Sequence, residues 1–151
     1  MTAQVLEPLI RQTASAAQAG QLYARELSNV AHGAAKCRDS IDLDILFVAL
    51  ASAAQQRLAT FNAQDLAKTA WAFAKAARSD ELLFVALARK AQQLLATFNA
   101  QDLANTAWAF ATAARSDELL FVALAREAQQ RLPTFNAQSI ANTAWAFATA
   151  A

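Results

Sequence analysis

Amide, hydroxyl and lysine side chains recur along the sequence at an interval of 37 residues. On a helical wheel they lie opposite the apolar face of a predicted helix, and their polar groups can donate or accept hydrogen bonds. Helical repeats that recognise single-stranded bases use two or three such side chains per repeat. The candidate binding residues are Gln64, Lys68, Lys75, Gln101, Asn105, Thr112, Gln138, Asn142 and Thr149. The alternative for each of them is a solvated helix face without a binding role.

The sequence offers little for catalysis, because it contains one His, one Cys and one Tyr. It has neither a glycine-rich phosphate loop nor the spacing of metal ligands. We interpret His32 as a packing residue and Cys37 as a small apolar one. The carboxylates of Asp39, Asp42 and Asp44 suit the capping of a helix start. We therefore expect no enzyme activity, no cofactor and no metal.

Composition and charge narrow the fold class. The chain has 151 residues, which is long enough for one domain with a core, and only two Gly and two Pro. So few turn formers argue against an all-β sandwich or barrel and favour helices with short connections. The net charge of +1 provides no strong overall field for nucleic acid or an anionic membrane.

A 37-residue repeat is the main feature of the sequence. Trp71, Trp108 and Trp145 are spaced by this interval, and residues 61–97 differ from residues 98–134 at five of 37 positions. In a degenerate earlier copy, His32 stands where the tryptophan would be, with a spacing two residues longer. We predict a single helical-repeat domain over 1–151, made of a degenerate N-terminal capping unit (1–40), a half unit (41–60), two repeats (61–97 and 98–134) and a half repeat (135–151).

Each unit predicts two helices. Asn62 is a good N-cap for the first helix, with Asp65 completing a capping box, and Ser79 is the candidate cap for the second. The apolar run 82–87 is predicted to be helix rather than strand, and to be covered on all sides. Helix pairs of this kind bury their apolar faces by stacking. The fold class is therefore all-α, an α-solenoid of antiparallel helix pairs with about eight helices.

The repeated segment resembles a known family. Residues 98–111 read Phe-Asn-Ala-Gln-Asp-Leu-Ala-Asn-Thr-Ala-Trp-Ala-Phe-Ala, and this sequence and its copies are similar to octotricopeptide repeats. The 37-residue period is that of the related heptatricopeptide repeats. The resemblance covers residues 41–151 well and residues 1–40 weakly. It implies a helical-repeat protein of a chloroplast or mitochondrion that binds organellar RNA and controls its stability, splicing or translation.

Two functions follow from these residues: a module that binds single-stranded RNA, or a protein–protein scaffold or small structural subunit of a large organellar assembly. Phosphate binding needs clustered Lys and Arg, whereas here 13 basic residues are matched by 12 acidic ones. We expect local pairs, Arg78 with Asp80 and Arg115 with Asp117, which lower the expected RNA affinity of the chain alone. The repeated tryptophans could stack on bases, but packing between repeats is the favoured interpretation.

The last half repeat predicts a docking surface. It comprises the first helix of a unit without the second, which leaves an apolar face without its usual cover. The residues of this face are Ile140, Ala144, Trp145, Phe147 and Ala148. A contiguous apolar patch is typical of an association site. We expect either a longer array or the docking of another chain there, with a homo-oligomer as the simplest form.

Overall fold

The computed structural model describes residues 3–37 and 41–151. These residues form eight α-helices and no β-strand. The helices are α1 (Ala3–Gln18), α2 (Ala24–Ala35), α3 (Asp44–Arg57), α4 (Ala63–Lys75), α5 (Glu81–Leu94), α6 (Ala100–Thr112), α7 (Glu118–Arg131) and α8 (Ala137–Ala150). The predicted all-helical class is confirmed. Asp39, one of the predicted capping residues, lies outside the described residues.

The helices form two layers, and they alternate between the layers along the chain. The even-numbered helices α2, α4, α6 and α8 pack side by side in what we call the inner layer, and α1, α3, α5 and α7 form the outer layer. Neighbouring inner helices pack more closely than α3 with α5 or α5 with α7. A stack whose helices are closer on one side must curve toward that side, so the exposed face of the inner layer is concave. This arrangement is that of an α-solenoid.

Asparagine caps begin the inner helices, as the spacing predicts. The side chain of Asn62 accepts a hydrogen bond from the amide of Asp65 at 2.8 Å, and Asn99 does the same for Asp102 at 2.7 Å. Both carboxylates return a contact to the amide of the capping residue, which completes two capping boxes. In α8 the third position is Ser139, so Asn136 provides the only side-chain cap hydrogen bond described for that start.

The connection between the two helices of a unit differs from expectation. Asp80, not Ser79, caps α5, because its carboxylate accepts from the amide of Leu83 at 2.8 Å. The predicted local ion pair of Arg78 with Asp80 is therefore wrong, and Arg78 instead pairs with Asp44 of the preceding unit. The preceding Ala77 has a positive φ of 56°, which turns the chain sharply after α4.

The second unit repeats this geometry. Ala114 has a φ of 54° after α6, and Asp117 caps α7 by accepting from the amide of Leu120. The predicted pair of Arg115 with Asp117 is wrong for the same reason. Arg115 donates instead to the carbonyl of Ser79, at 2.6 Å. Arginines therefore link each unit to the one before it rather than to their own loop.

The core lies between the layers and contains a recurring aromatic pair. Phe47 packs on Phe73 with ring centroids 5.1 Å apart, edge to face, and Phe84 packs on Phe110 at 5.1 Å in the same way. In the apolar run 82–87, Leu83, Phe84 and Leu87 are buried, but Leu82 is 71% exposed. The expectation that this run is covered on all sides is wrong, because one side of each outer helix has no neighbour.

In the part of the chain that the structure describes, no helix combines the length and the apolar character that a membrane crossing requires.

Candidate nucleic-acid interface

The concave face of the inner layer contains a cavity of about 390 Å³ that spans four successive inner helices. It brings together five of the nine predicted binding residues: Gln64, Lys68, Gln101, Asn105 and Gln138. The wall also contains charged and aromatic side chains: His32 of α2, Lys36 at the end of α2, Trp71 of α4 and Asp102 of α6. Equivalent positions in successive repeats thus meet in one continuous groove.

A second cavity, of about 570 Å³, lies farther along the same layer, between α6 and α8. Gln101, Asn105, Gln138 and Asn142 line it, together with the capping asparagines of both helices. Its wall is rich in amide groups, each of which both donates and accepts hydrogen bonds. Because Gln101, Asn105 and Gln138 line both cavities, the two together form the feature that we call the inner groove.

The remaining three predicted residues occupy a different part of the surface. Lys75, Thr112 and Thr149 are exposed in the last turns of α4, α6 and α8, and they line neither cavity. Each lies seven positions after a residue of the inner groove, which keeps it on the same helix face but about 10 Å farther along. On α4, α6 and α8 the polar Gln, Lys and Asn side chains of the groove therefore come from the first half of the helix, whereas His32 and Lys36 lie at the end of α2.

Aromatic rings stack along the inner layer. The imidazole of His32 lies 4.9 Å from the ring of Trp71, Trp71 lies 6.2 Å from Trp108, and Trp108 lies 6.4 Å from Trp145, between ring centroids. His32 thus occupies the tryptophan position of its own unit, as the sequence predicts. The tryptophans pack on one another between repeats, and the part of Trp71 that stays exposed borders the inner groove.

Basic side chains concentrate at the α2 and α4 end of the concave face. The Nζ of Lys68 donates to the Oδ1 of Asn29 at 2.8 Å, which fixes these two residues side by side on adjacent helices. Lys36 lines the same cavity, and Arg25 lies one turn before Asn29 on the same helix face. Burial lowers the pKa of His32, and the nearby charges of Lys36 and Lys68 lower it further.

Two carboxylates of the inner layer, Asp65 and Asp102, are held in capping boxes, although Asp102 also lines the cavity of about 390 Å³. Asp65 and Asp102 are both buried at the helix starts, where they serve the capping boxes. Burial raises the pKa of Asp102, although a hydrogen bond with Asn99 opposes the shift. Within the described residues, no group of three or more His, Cys, Asp or Glu side chains lies close enough to hold a metal ion.

One protein family matches the chain along almost its whole length. The family is described as RNA-editing substrate-binding complex 6 protein, and the match covers residues 4–151. The chain belongs to this family. No curated protein matches the sequence. Membership of this family confirms that the chain is related to RNA-associated helical proteins, as the resemblance implied. The family that matches is not described as an octotricopeptide or heptatricopeptide repeat family.

Lys36 of this family member is a groove residue that the sequence analysis missed. The degenerate first unit is offset by 39 residues rather than 37, and this offset aligns Lys36 with Lys75, Asn29 with Lys68 and Arg25 with Gln64. If the offset of 39 residues is applied to the polar positions as well as to His32, the sequence identifies the basic end of the groove. The close contact between Asn29 and Lys68 follows directly from this alignment.

The predicted docking face on α8 is partly covered. Ile140 and Trp145 are 48% and 47% exposed, and Ala144 and Ala148 are also exposed. Phe147 is only half-buried, but its ring packs edge to face on Phe121 of α7, with centroids 5.5 Å apart. The exposed apolar face therefore consists of Ile140, Ala144, Trp145 and Ala148, because the ring of Phe147 already contacts the preceding outer helix.

Proposed function

We propose that this chain is a non-catalytic binding subunit of an RNA-editing substrate-binding assembly and that its inner groove holds single-stranded RNA. The name of the family associates it with such a complex and with RNA. The groove supplies what single-stranded RNA requires: cations for phosphates, and amides that can hydrogen-bond to the edges of bases.

The observation that carries this proposal is the segregation of charge. The chain as a whole has a net charge of only +1. Nevertheless, Arg25, Lys36, Lys68 and Lys75 share one face of α2 and α4. The nearby carboxylates of Asp65 and Glu26 are engaged at the starts of the same two helices, by accepting from the amides of Asn62 and Tyr23, and Asp102 is the carboxylate that lines the cavity. Clustered cations, rather than net charge, determine how many phosphates a surface neutralises. This face therefore offers more clustered positive charge than the net charge of the chain indicates.

We assign base recognition to the end of the groove between α6 and α8, where amide side chains line the wall. Gln101 with Asn105 on α6 and Gln138 with Asn142 on α8 form two identical pairs one repeat apart. Asn and Gln amides can pair with a base edge through one donor and one acceptor, as they do with adenine. At about one base per repeat, the groove would contact only three or four nucleotides. Binding by this chain alone should accordingly be weak and sensitive to salt.

We also propose an organellar location, an octotricopeptide type for the repeat and a scaffold function. An organellar location is consistent with an RNA-editing complex, which favours the mitochondrion and gives no support to the chloroplast. The octotricopeptide type of the repeat rests on the motif from Gln101 to Ala109 and its copies. A scaffold function has independent support, since exposed apolar side chains recur on the outer layer, away from the groove. One chain can use both surfaces.

Fluorescence polarisation with a labelled, short single-stranded RNA of mixed sequence tests the proposal. The variant Lys36→Glu/Lys68→Glu reverses two charges of the inner groove and should weaken binding at low salt at least about tenfold. The matched control Arg11→Glu/Lys90→Glu reverses two charges on α1 and α5 of the outer layer and should change the affinity less than about twofold. Circular dichroism establishes that both variants remain folded.

Two outcomes would count against RNA binding in the groove. The first is no binding of RNA by the unmodified chain at low salt, which would favour the scaffold function. The second is an equal loss of affinity in the groove variant and its control, which would indicate a non-specific charge effect. Loss confined to the groove variant supports the proposal.

A further inference from the structure

The outer layer exposes apolar side chains at regular positions. Leu82 on α5 and Leu119 on α7 are 71% and 72% exposed, and Val85 and Val122 lie one turn farther along the same helices, also exposed. The matching positions on α3 are Ile45 and Val48, of which Val48 is 69% exposed. These six side chains recur at the same two positions of three successive outer helices, and we call the row that they form the outer stripe. Single exposed apolar residues are ordinary, but a contiguous row marks an association site.

Charges border the outer stripe on α5 and α7 in a fixed order. Glu81 lies at the start of α5, and Arg89 lies one turn beyond Val85, on the line through Leu82 and Val85. Along α5 the exposed face therefore runs from acidic to apolar to basic over about 12 Å. Glu118 and Arg126 repeat the order on α7. Within the described part of the chain, none of these four charged residues forms an ion pair.

The stripe has recesses as well as projections. A cavity of about 300 Å³ opens between α5 and the connection from α6 to α7. Val85, Ala88 and the rings of Phe84 and Phe110 provide its apolar wall, and Glu81 lies at its rim. Next to this recess, the side chain of Leu82 projects into solvent. Arg115, Ser116 and Asp117 form the polar side of the recess. The same face thus offers an apolar side chain that can insert and a recess with an apolar wall that can accept one.

We propose that the outer stripe docks a second copy of this chain, with the helices of the two copies antiparallel across a twofold axis. This rotation reverses the order of charges on the second copy. Glu81 of one copy then faces Arg89 of the other, Glu118 faces Arg126, and the apolar rows meet between them. An interface of this isologous kind requires a self-complementary surface.

Self-complementarity is the reason for choosing a second copy rather than a different protein. A partner of another sequence would need only to match one sign of charge or one apolar row. Here the acidic edge and the basic edge belong to the same helices, and on α5 Glu81 and Arg89 each lie four residues from Val85. Parallel docking would set Glu81 against Glu81 and Arg89 against Arg89, which like-charge repulsion disfavours. The charge order therefore selects the antiparallel arrangement.

Sedimentation velocity over a range of protein concentrations tests the proposal with the full chain. The unmodified chain should form dimers reversibly, whereas Leu82→Ser/Leu119→Ser should sediment as a monomer at the same concentrations. Both leucines are exposed, so their replacement should leave the fold intact. The matched control Gln93→Ser/Gln130→Ser changes two exposed residues of the same helices outside the stripe and should dimerise normally.

Charge reversal distinguishes this interface from other modes of association. Glu81→Arg/Glu118→Arg alone, and Arg89→Glu/Arg126→Glu alone, should each weaken the dimer at least about tenfold. The combined fourfold variant exchanges both edges and should restore dimerisation. A chain that stays monomeric at high micromolar concentration would overturn the proposal. A dimer whose affinity is unchanged by either of the two charge-reversal variants would also overturn it, since the interface would then lie elsewhere.

Discussion

The imidazole of His32 packs on the indole of Trp71 with ring centroids 4.9 Å apart, although the two residues are 39 positions apart. His32 is therefore the first ring in the series that continues through Trp108 and Trp145. Its Nδ1 is buried and, among the described residues, has no hydrogen-bond partner. Burial lowers its pKa, and the charges of Lys36 and Lys68 lower it further. An ionisable ring thus occupies a position that an apolar ring fills in the other units.

We expect acid to destabilise the fold through His32. Its folded pKa is lowered from the ordinary value of 6.5, so the unfolded chain binds the proton more tightly. Stability should fall as the pH drops below about 6.5 and should stop falling on this account once the lowered folded pKa is passed. Thermal unfolding of His32→Phe should show a smaller loss between about pH 7.5 and about pH 5.5 than the unmodified chain.

The variant Lys36→Met isolates the electrostatic part of this effect. Removal of one nearby cation should bring the pKa of His32 closer to its ordinary value and so reduce the acid-dependent loss in part. An acid-dependent loss of the same size in His32→Phe as in the unmodified chain would assign the effect to other groups.

We expect glycine at either left-handed alanine to stabilise the protein. Ala77 and Ala114 have φ values of 56° and 54°, a region in which a side chain costs about 1–2 kcal/mol. Part of that gain is offset because glycine is more flexible in the unfolded chain, so Ala77→Gly should raise the free energy of unfolding by about 1 kcal/mol. Urea denaturation measures the change.

The mid-helix substitution Ala86→Gly is the matched control for this prediction. The same chemical change inside α5 should lower the free energy of unfolding by about 0.5–1 kcal/mol. If both substitutions were destabilising, the positive φ at Ala77 would not be a source of strain.

Short-range features of this fold could be predicted from the sequence. The caps at Asn62 and Asn99 depend on a carboxylate three residues later, and such contacts close within one turn. The packing of the tryptophans follows from a strict period, since equivalent residues of stacked repeats must be neighbours. The gathering of Gln64, Gln101 and Gln138 in one groove follows from the same period.

Contacts between units, and the exposed side of each helix, could not be predicted in this way. Leu82 lies in an unbroken apolar run, and the run alone does not indicate which side of α5 lacks a neighbour. Arg78 has an acidic residue two positions away, yet Asp80 is used as a cap and the partner is Asp44, 34 positions earlier. Such choices depend on the offset between stacked helices, which no local pattern encodes.

We expect Arg57 to hold the turn between α1 and α2. Its Nη2 donates to the carbonyl of Gly20 at 2.5 Å, and its guanidinium lies over the ring of Tyr23, 4.3 Å from the centroid. Loss of a half-buried hydrogen bond from a charged donor costs about 1.5 kcal/mol, so Arg57→Ala should destabilise the chain by that amount. Amide hydrogen exchange should speed up most around Gly20, where the contact is lost.

The exposed Arg126 provides the control for Arg57, since no hydrogen bond of its side chain is described. Arg126→Ala, measured at concentrations too low for self-association, should change the free energy of unfolding by less than about 0.5 kcal/mol. Equal destabilisation by the two substitutions would mean that the contact with Gly20 contributes nothing specific.

Lys68, Asn105 and Asn142 occupy the same position in successive repeats. This position tests which residues of the inner groove contact phosphates and which form hydrogen bonds. Lys68→Asn makes α4 identical to α6 and α8 at this position, so it removes a cation but keeps a hydrogen-bonding side chain. We expect weaker RNA binding at low salt and a slope of log affinity against log salt that is shallower by about 0.7, the contribution of one phosphate contact on a single strand. The reciprocal change, Asn105→Lys, should strengthen binding at low salt and steepen the slope by a similar amount. Polarisation titrations at several salt concentrations measure both slopes.

If Lys68→Asn weakened binding equally at every salt concentration, Lys68 would contact a base or a neighbouring side chain instead of a phosphate. The hydrogen bond of Lys68 with Asn29 would then be its main role.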